Sequence, residues 1–180
     1  MVTGEAGEES GLAELWNLVV ENPAYRHVLL NHLPITGLAL AACVLAWGVI
    51  EDRWTSIVLG LALVALCSLS AVLVLQSGDA AYPFLFDQLD GRGQGWLDHH
   101  AFLAERFGRC LPINGVLAAL AIAAGLRRLA WRRRLGFALL ATTCASLMVA
   151  GVIAEAGGQI RHAEFRTSNP PVHDSPGRLR

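Results

Sequence analysis

The residues of this chain best suited to chemistry are its six histidines, and five of them flank long apolar runs. His27 and His32 precede the first run in "HVLLNHLP", and His99 and His100 precede the third in "LDHHAF". His162 follows the fourth in "GGQIRHAEF", and His173 lies in the C-terminal tail. Neutral imidazole is a ligand for first-row transition metals and for haem iron, so histidines gathered at one level of a protein form a candidate cofactor site. Asn31 and Arg161 add hydrogen-bonding groups next to His32 and His162, and Gly157-Gly158 lets backbone approach a flat ligand or a neighbouring helix. The candidate cofactor-binding set is therefore His27, Asn31, His32, His100, Gly158, Arg161 and His162. Within it, His32, His100 and His162 are the expected metal ligands.

Four uncharged stretches must position these groups: Leu33–Ile50, Trp54–Leu75, Cys110–Leu126 and Leu135–Ala154. Each approaches or exceeds the roughly 20 residues needed to cross a bilayer about 30 Å thick. Hydrophobic residues make up 54% of the chain and charged ones 16%, whereas soluble domains average about a quarter charged. The expected fold is all-α, an integral membrane four-helix bundle, and contact with membrane lipids follows from it. A net charge of -1 gives no reason to expect nucleic-acid binding. Cys43, Cys67, Cys110 and Cys144 fall one in each run without a C-x-x-C pair, which reads as small apolar filling and not a thiol site. No internal repeat is evident and no span interior carries a charge, which argues against an ordinary transporter.

Arginine placement sets the expected orientation. The link "RRLAWRRR" (Arg127–Arg134) between the third and fourth runs is rich in arginine, and the short "EDR" turn between the first two lies on the same side. The positive-inside rule makes both cytoplasmic. The termini and the Gln76–Arg109 segment then face the periplasm, in a bacterial inner membrane. Counting from the cytoplasmic ends at ~1.5 Å per helical residue, His32 stands about 27 Å up, His27 about 35 Å, His100 about 39 Å and His162 about 40 Å. Three helices thus bring imidazoles to a similar level at the outer boundary.

Three regions follow. Residues 1–26 form a periplasmic tail with an amphipathic helix, marked by Leu12, Leu15, Trp16, Val19 and Val20. Asn22-Pro23 then reads as an N-cap with proline at the first helical position. Residues 27–166 form the transmembrane domain, and the proline-rich residues 167–180 a flexible tail. The segment Phe86–Phe102 imitates a calcium-binding EF-hand loop, with Asp90 first. However, Arg92 and Gln94 stand at the third and fifth ligand positions and Ala101 at the twelfth, where a bidentate Glu belongs. The segment is instead expected to be a glycine-rich turn with Asp98 capping the third helix.

The blocks "HVLLNHLPITG", "SGDAA", "LDHHAFLA" and "GGQIRHAEFR", in that order over about residues 25–166, resemble a family of four-span bacterial membrane proteins. This is the domain-of-unknown-function family whose first helix opens with His-(Phe/Leu)-Pro. His27, Asn31, His32 and Pro34 match its first block, His100 the third, and Gly157, Gly158, Arg161 and His162 the last. Ala101 and Ala163 depart from the Glu and Pro that the pattern usually carries there. Relatives joined to Rieske-type modules imply an electron-transfer setting, and the resemblance implies no activity.

The leading expectation is a membrane subunit that binds haem b near its periplasmic face. Its axial ligands would be His32 or His27 with His100 or His162, and it would relay electrons between quinone or a periplasmic carrier and a redox partner subunit. An accessory or anchor role is expected in place of a complete enzyme. One alternative is a non-haem copper or zinc protein using three imidazoles and Glu164. Another is a structural or assembly subunit of a larger membrane complex.

Overall fold

A computed structural model describes residues 5–172, and His173 with the rest of the C-terminal tail lies outside them. Eight α-helices run in order: α1 (Glu5–Glu21), α2 (Pro23–Leu30), α3 (Leu38–Ile50), α4 (Trp54–Leu69), α5 (Ala71–Phe86), α6 (Gly91–Phe107), α7 (Cys110–Arg127) and α8 (Arg132–Arg161). No strand occurs among the described residues. The chain is all-α, as its composition predicts, and near-continuous helices build four spans: Pro23–Ile50, Trp54–Phe86, Gly91–Arg127 and Leu129–Arg161. It is a multi-pass membrane protein by the length and apolarity of these helices.

Two helix starts have a clear local cause. Asn22 holds an extended backbone and its side chain accepts from Tyr25 N–H, with Pro23 at the first helical position, as the Asn-Pro pair predicts. A π-helical turn over Leu33–Gly37 then joins α2 to α3. Pro34 has no N–H to donate, and the wider turn takes up that missing bond. In the "LDGRGQG" stretch the sequence expectation fails. Asp90, not Asp98, caps the third span, accepting from Gly93 N–H at 2.8 Å, and the glycines lie inside α6. A Cβ on Gly93 would stand 2.6 Å from Asp90 Oδ1, and one on Gly95 2.5 Å from Pro170 Cγ. The glycines keep that face of α6 thin enough for residues 166–170 to lie against it.

The inner tier is a ring of four helices, in which α3 packs on α4, α4 on α7, α7 on α8 and α8 on α3. Its core is Leu38, Leu45, Val49, Ile57, Leu61 and Val64, all at or near zero exposure. Close crossings depend on small residues, since lipid offers no hydrophobic drive between helices. A Cβ on Gly60, for example, would stand 2.5 Å from Leu45 Cα. Leu40, Leu59, Leu66, Leu120 and Met148 are exposed on the outside of the ring, where acyl chains solvate them.

One polar layer crosses this core. Asn114 of α7 is buried and donates to Ser68 of α4 (3.4 Å) and Thr143 of α8 (3.2 Å), while Thr142 donates to Asn114 Oδ1 (2.8 Å). Its amide therefore has partners on both neighbouring helices, which fixes their register. The outer tier is built by α2 on α5 and α6 on α8, and it carries the histidines.

Candidate functional site

His27 and His100 meet between the two halves of the outer tier. Their ring centroids are 6.1 Å apart and their planes are nearly perpendicular, at 88°. His27 Nδ1 lies 2.9 Å from Val74 O, and His100 Nδ1 lies 2.8 Å from Ile153 O. A carbonyl only accepts, so each Nδ1 carries the proton and donates it, and each Nε2 is left with a free lone pair. Backbone carbonyls on the far nitrogen are the usual support for a ligating imidazole, because they fix both tautomer and ring orientation.

The two histidines are held by the same device. One helical turn beyond each accepting carbonyl stands a glycine, Gly78 after Val74 and Gly157 after Ile153. A Cβ on Gly78 would stand 3.0 Å from His27 Cε1, and one on Gly157 3.2 Å from His100 Cε1. Each imidazole thus lies against a bare stretch of the partner helix, in reach of the carbonyl one turn below. The device differs at one point, where Ser77 Oγ stands 3.4 Å from His27 Nδ1 while also donating to Val74 O at 2.9 Å. The equivalent residue beside Gly157 is Ala156.

This repetition extends down the second and fourth spans. At one constant sequence offset the buried positions correspond: Ile57 with Gly136, Val64 with Thr143, Cys67 with Ser146, Ala71 with Ala150, Ser77 with Ala156 and Ala81 with Ile160. The first and third spans share the motif Leu33-Pro34-Ile35-Thr36-Gly37 and Leu111-Pro112-Ile113-Asn114-Gly115. The chain is therefore built from two similar span pairs, whereas no repeat was evident from hydropathy. The five-residue motif was the available signal, and the differing length of chain between histidine and motif hid it.

The other expected site residues are placed elsewhere. His32 is exposed and its Nδ1 faces Val28 O at 3.0 Å, within its own helix. His162 is exposed, stacks on Phe165 (centroids 4.8 Å apart) and lies 2.9 Å from Glu164 Oε1. The carboxyl of Glu164 is held below its ordinary range by its own backbone N–H and then by His162. Among the described residues no three His, Cys, Asp or Glu gather where they could hold a metal ion. His32, His100 and His162 thus do not form one cluster, since the helices that carry them turn two of the three outward. Asn31 is half-buried, and Arg161 is exposed beside His162. Gly158 has Phe165 as its neighbour while Gly157 meets the His100 ring, so the glycine that matters is one residue earlier.

Sequence height alone missed two further features. Among the described residues Trp96 Nε1 and Gln159 Oε1 are buried without a partner, and Trp96 stands edge-on to His99 at 5.6 Å. Beyond them Arg166 closes the outer end. Its side chain is 6% exposed, and it donates to Gln159 O (2.7 Å), Ile160 O (2.6 Å) and both oxygens of Asp90 (3.1 and 3.0 Å). Asp90 is the first residue of the EF-hand look-alike, and its acceptors are committed to Gly93 N–H and Arg166.

Compared with protein-family models, curated proteins and solved structures, the chain matches none.

Proposed function

We propose that the protein is a membrane-embedded electron-transfer subunit that binds haem b between His27 and His100. The observation that carries this reading is the paired imidazoles, each with Nδ1 engaged and Nε2 free. The ring centroids are 6.1 Å apart and metal–imidazole bonds are about 2.0–2.1 Å long, so the two rings are near enough for one cofactor to take a nitrogen from each. Two imidazole nitrogens are an incomplete set for tetrahedral zinc. They would suffice for haem, whose macrocycle would supply the remaining nitrogens, and bundle cores commonly offer such ligands from facing helices. Bound haem would supply a one-electron couple. The protein's own residues do the rest: Val74 and Ile153 carbonyls fix the tautomers, and Gly78 and Gly157 clear the ring positions.

The arginine-rich end supports a cytoplasmic placement by the positive-inside rule, which puts the histidine pair at the periplasmic side of a bacterial inner membrane. There it would exchange electrons with quinone or with a redox subunit. The resemblance to four-span proteins associated with Rieske-type modules supports the same setting.

An absorption spectrum of the purified protein tests the reading. The expected result is a Soret band that shifts on dithionite reduction, lost in His27→Ala and in His100→Ala but kept in His32→Ala and His162→Ala. If the two rings keep their 88° angle when haem is bound, a single large-g low-spin ferric EPR signal would be expected in place of a rhombic one. A sample with no Soret band, or with copper in stoichiometric amount by elemental analysis, sinks the haem reading.

A further inference from the structure

The opposite end of the bundle carries a second constellation, independent of the histidines. Six arginines (Arg53, Arg127, Arg128, Arg132, Arg133 and Arg134) face only two carboxylates there, Glu51 and Asp52. They are not a uniform solvated fringe. A cavity of about 320 Å³ opens between the two turns at this end, lined by Asp52, Trp54, Leu129, Arg132 and Arg133 among others. Arg132 is fixed at its rim, with its guanidinium 4.6 Å over the Trp54 ring and its Nε donating to Gly125 O at 3.0 Å. Among the described residues its two terminal amino groups have no hydrogen-bond partner. Arg133 is held over Phe137 (5.6 Å), and its Nε lies 3.9 Å from Asp52 Oδ1. That separation in an exposed pair is too long for a hydrogen bond, so its donors are also left for a ligand.

What surrounds the cavity identifies the ligand. Ile50, Leu126 and Leu129 are more than 60% exposed at the ends of their spans, and Trp131 is 52% exposed. Tryptophans with an apolar fringe mark the membrane–water interface, so the cavity lies at headgroup level with acyl-chain surface beside it. Basic pockets between helices at this level suit anionic lipid headgroups, and a guanidinium fork matches a phosphodiester. We infer that the arginine-lined cavity at this end binds the phosphate headgroup of one anionic phospholipid, whose acyl chains lie along the exposed fringe. A free phosphate would use the arginines and leave the apolar fringe bare.

The test is native mass spectrometry of the purified full chain, titrated with phosphatidylglycerol, phosphatidylcholine or inorganic phosphate. Wild-type protein is expected to retain one phosphatidylglycerol at least tenfold more tightly than phosphatidylcholine and to show no retained phosphate. Arg132→Gln with Arg133→Gln should lose that preference, while Arg127→Gln with Arg128→Gln, which removes equal charge outside the cavity, should keep it. Equal retention of both lipids, or equal losses in the two double variants, overturns the inference. Retention of inorganic phosphate matching that of the lipid overturns it as well. Should the Gln variants fail to fold, Arg132→Lys with Arg133→Lys keeps the charge and removes the forks. It is expected to bind severalfold more weakly, and unchanged binding there counts against the cavity.

Discussion

The two span pairs of this protein repeat each other closely at the histidine step and differ in the polar layer of the core. Outside, each half presents one histidine from its first span to a carbonyl–glycine step on its second: His27 to Val74 and Gly78, His100 to Ile153 and Gly157. Inside, the matching motif positions part company. Thr36 is exposed on the first half, whereas Asn114 is buried on the second and stitches three helices. Both halves keep the histidine step while their polar cores differ, so the two features are separable. A repeated feature marks the site, and an unrepeated one marks local packing.

The sharpest way to break this comparison is to remove one ligand at a time. If the halves contribute equivalently, His27→Ala and His100→Ala should each abolish the Soret band with similar severity, and a double variant should be no worse. A variant that retains most of the band would show that only one half carries the cofactor. Next come the glycines. Gly78→Leu and Gly157→Leu place a branched side chain where a single Cβ would already stand 3.0 or 3.2 Å from the imidazole. On the proposed haem reading, occupancy should fall at least tenfold in either. Gly158→Leu, one residue along, should cost far less, because its nearest neighbour is Phe165 at 3.9 Å.

The membrane layer tests the other side of the contrast. Asn114→Leu strands Ser68 and Thr143, both fully buried, without the amide that joined them. Hydrogen bonds between membrane helices are worth about 0.6 kcal/mol on average and reach about 1.7, so a total loss of about 1–3 kcal/mol is expected from several such bonds. Thermal or denaturant unfolding in detergent reads it. Thr36→Leu at the matching position should change stability by less than about 0.5 kcal/mol. Comparable losses at the two positions would mean that the halves are not divided in this way.

How much of this was legible beforehand differs by level. The spans were plain, because uncharged runs long enough for a bilayer have few other uses. The level of the histidines was legible too, since rise per residue is nearly constant in a helix, and His27 and His100, placed within about 4 Å of each other in height, do meet. The face was not. One residue turns a helical side chain by about 100°, and the π-helical turn at Leu33–Gly37 shifts the phase between α2 and α3. His32, before that turn and five residues beyond His27, lies about 140° round the helix from it, and so points away although its height suited a ligand. His162 was placed by helix count alone, but α8 ends at Arg161, and beyond that end rise per residue no longer applies. In the EF-hand look-alike Arg92, Gln94 and Ala101 already ruled out calcium, and what failed was the cap, which is Asp90 and not Asp98. Composition cannot say whether Asp90 faces a cation or the first turn of its own helix.

The smallest expected effect concerns a feature that only the second half carries, the Arg166 clasp over α6 and α8. Asp90 is held below its ordinary value by Gly93 N–H first, with Arg166 adding to it. A carboxyl depressed in the folded state contributes stability above its unfolded value, near 3.8, and loses it as pH falls through the lower folded value. The clasp should therefore be insensitive to pH from neutrality down to about 5, and should loosen only below about 4. Amide hydrogen exchange at Gly93 and in residues 159–170 reads this directly, and Asp90→Asn should remove the dependence. The change should be slight, because Arg166 keeps its bonds to the Gln159 and Ile160 carbonyls at every pH. Loosening that spreads to residues 74–86 of the first half would contradict the local clasp, since the contacts of Arg166 lie on α6 and α8 alone.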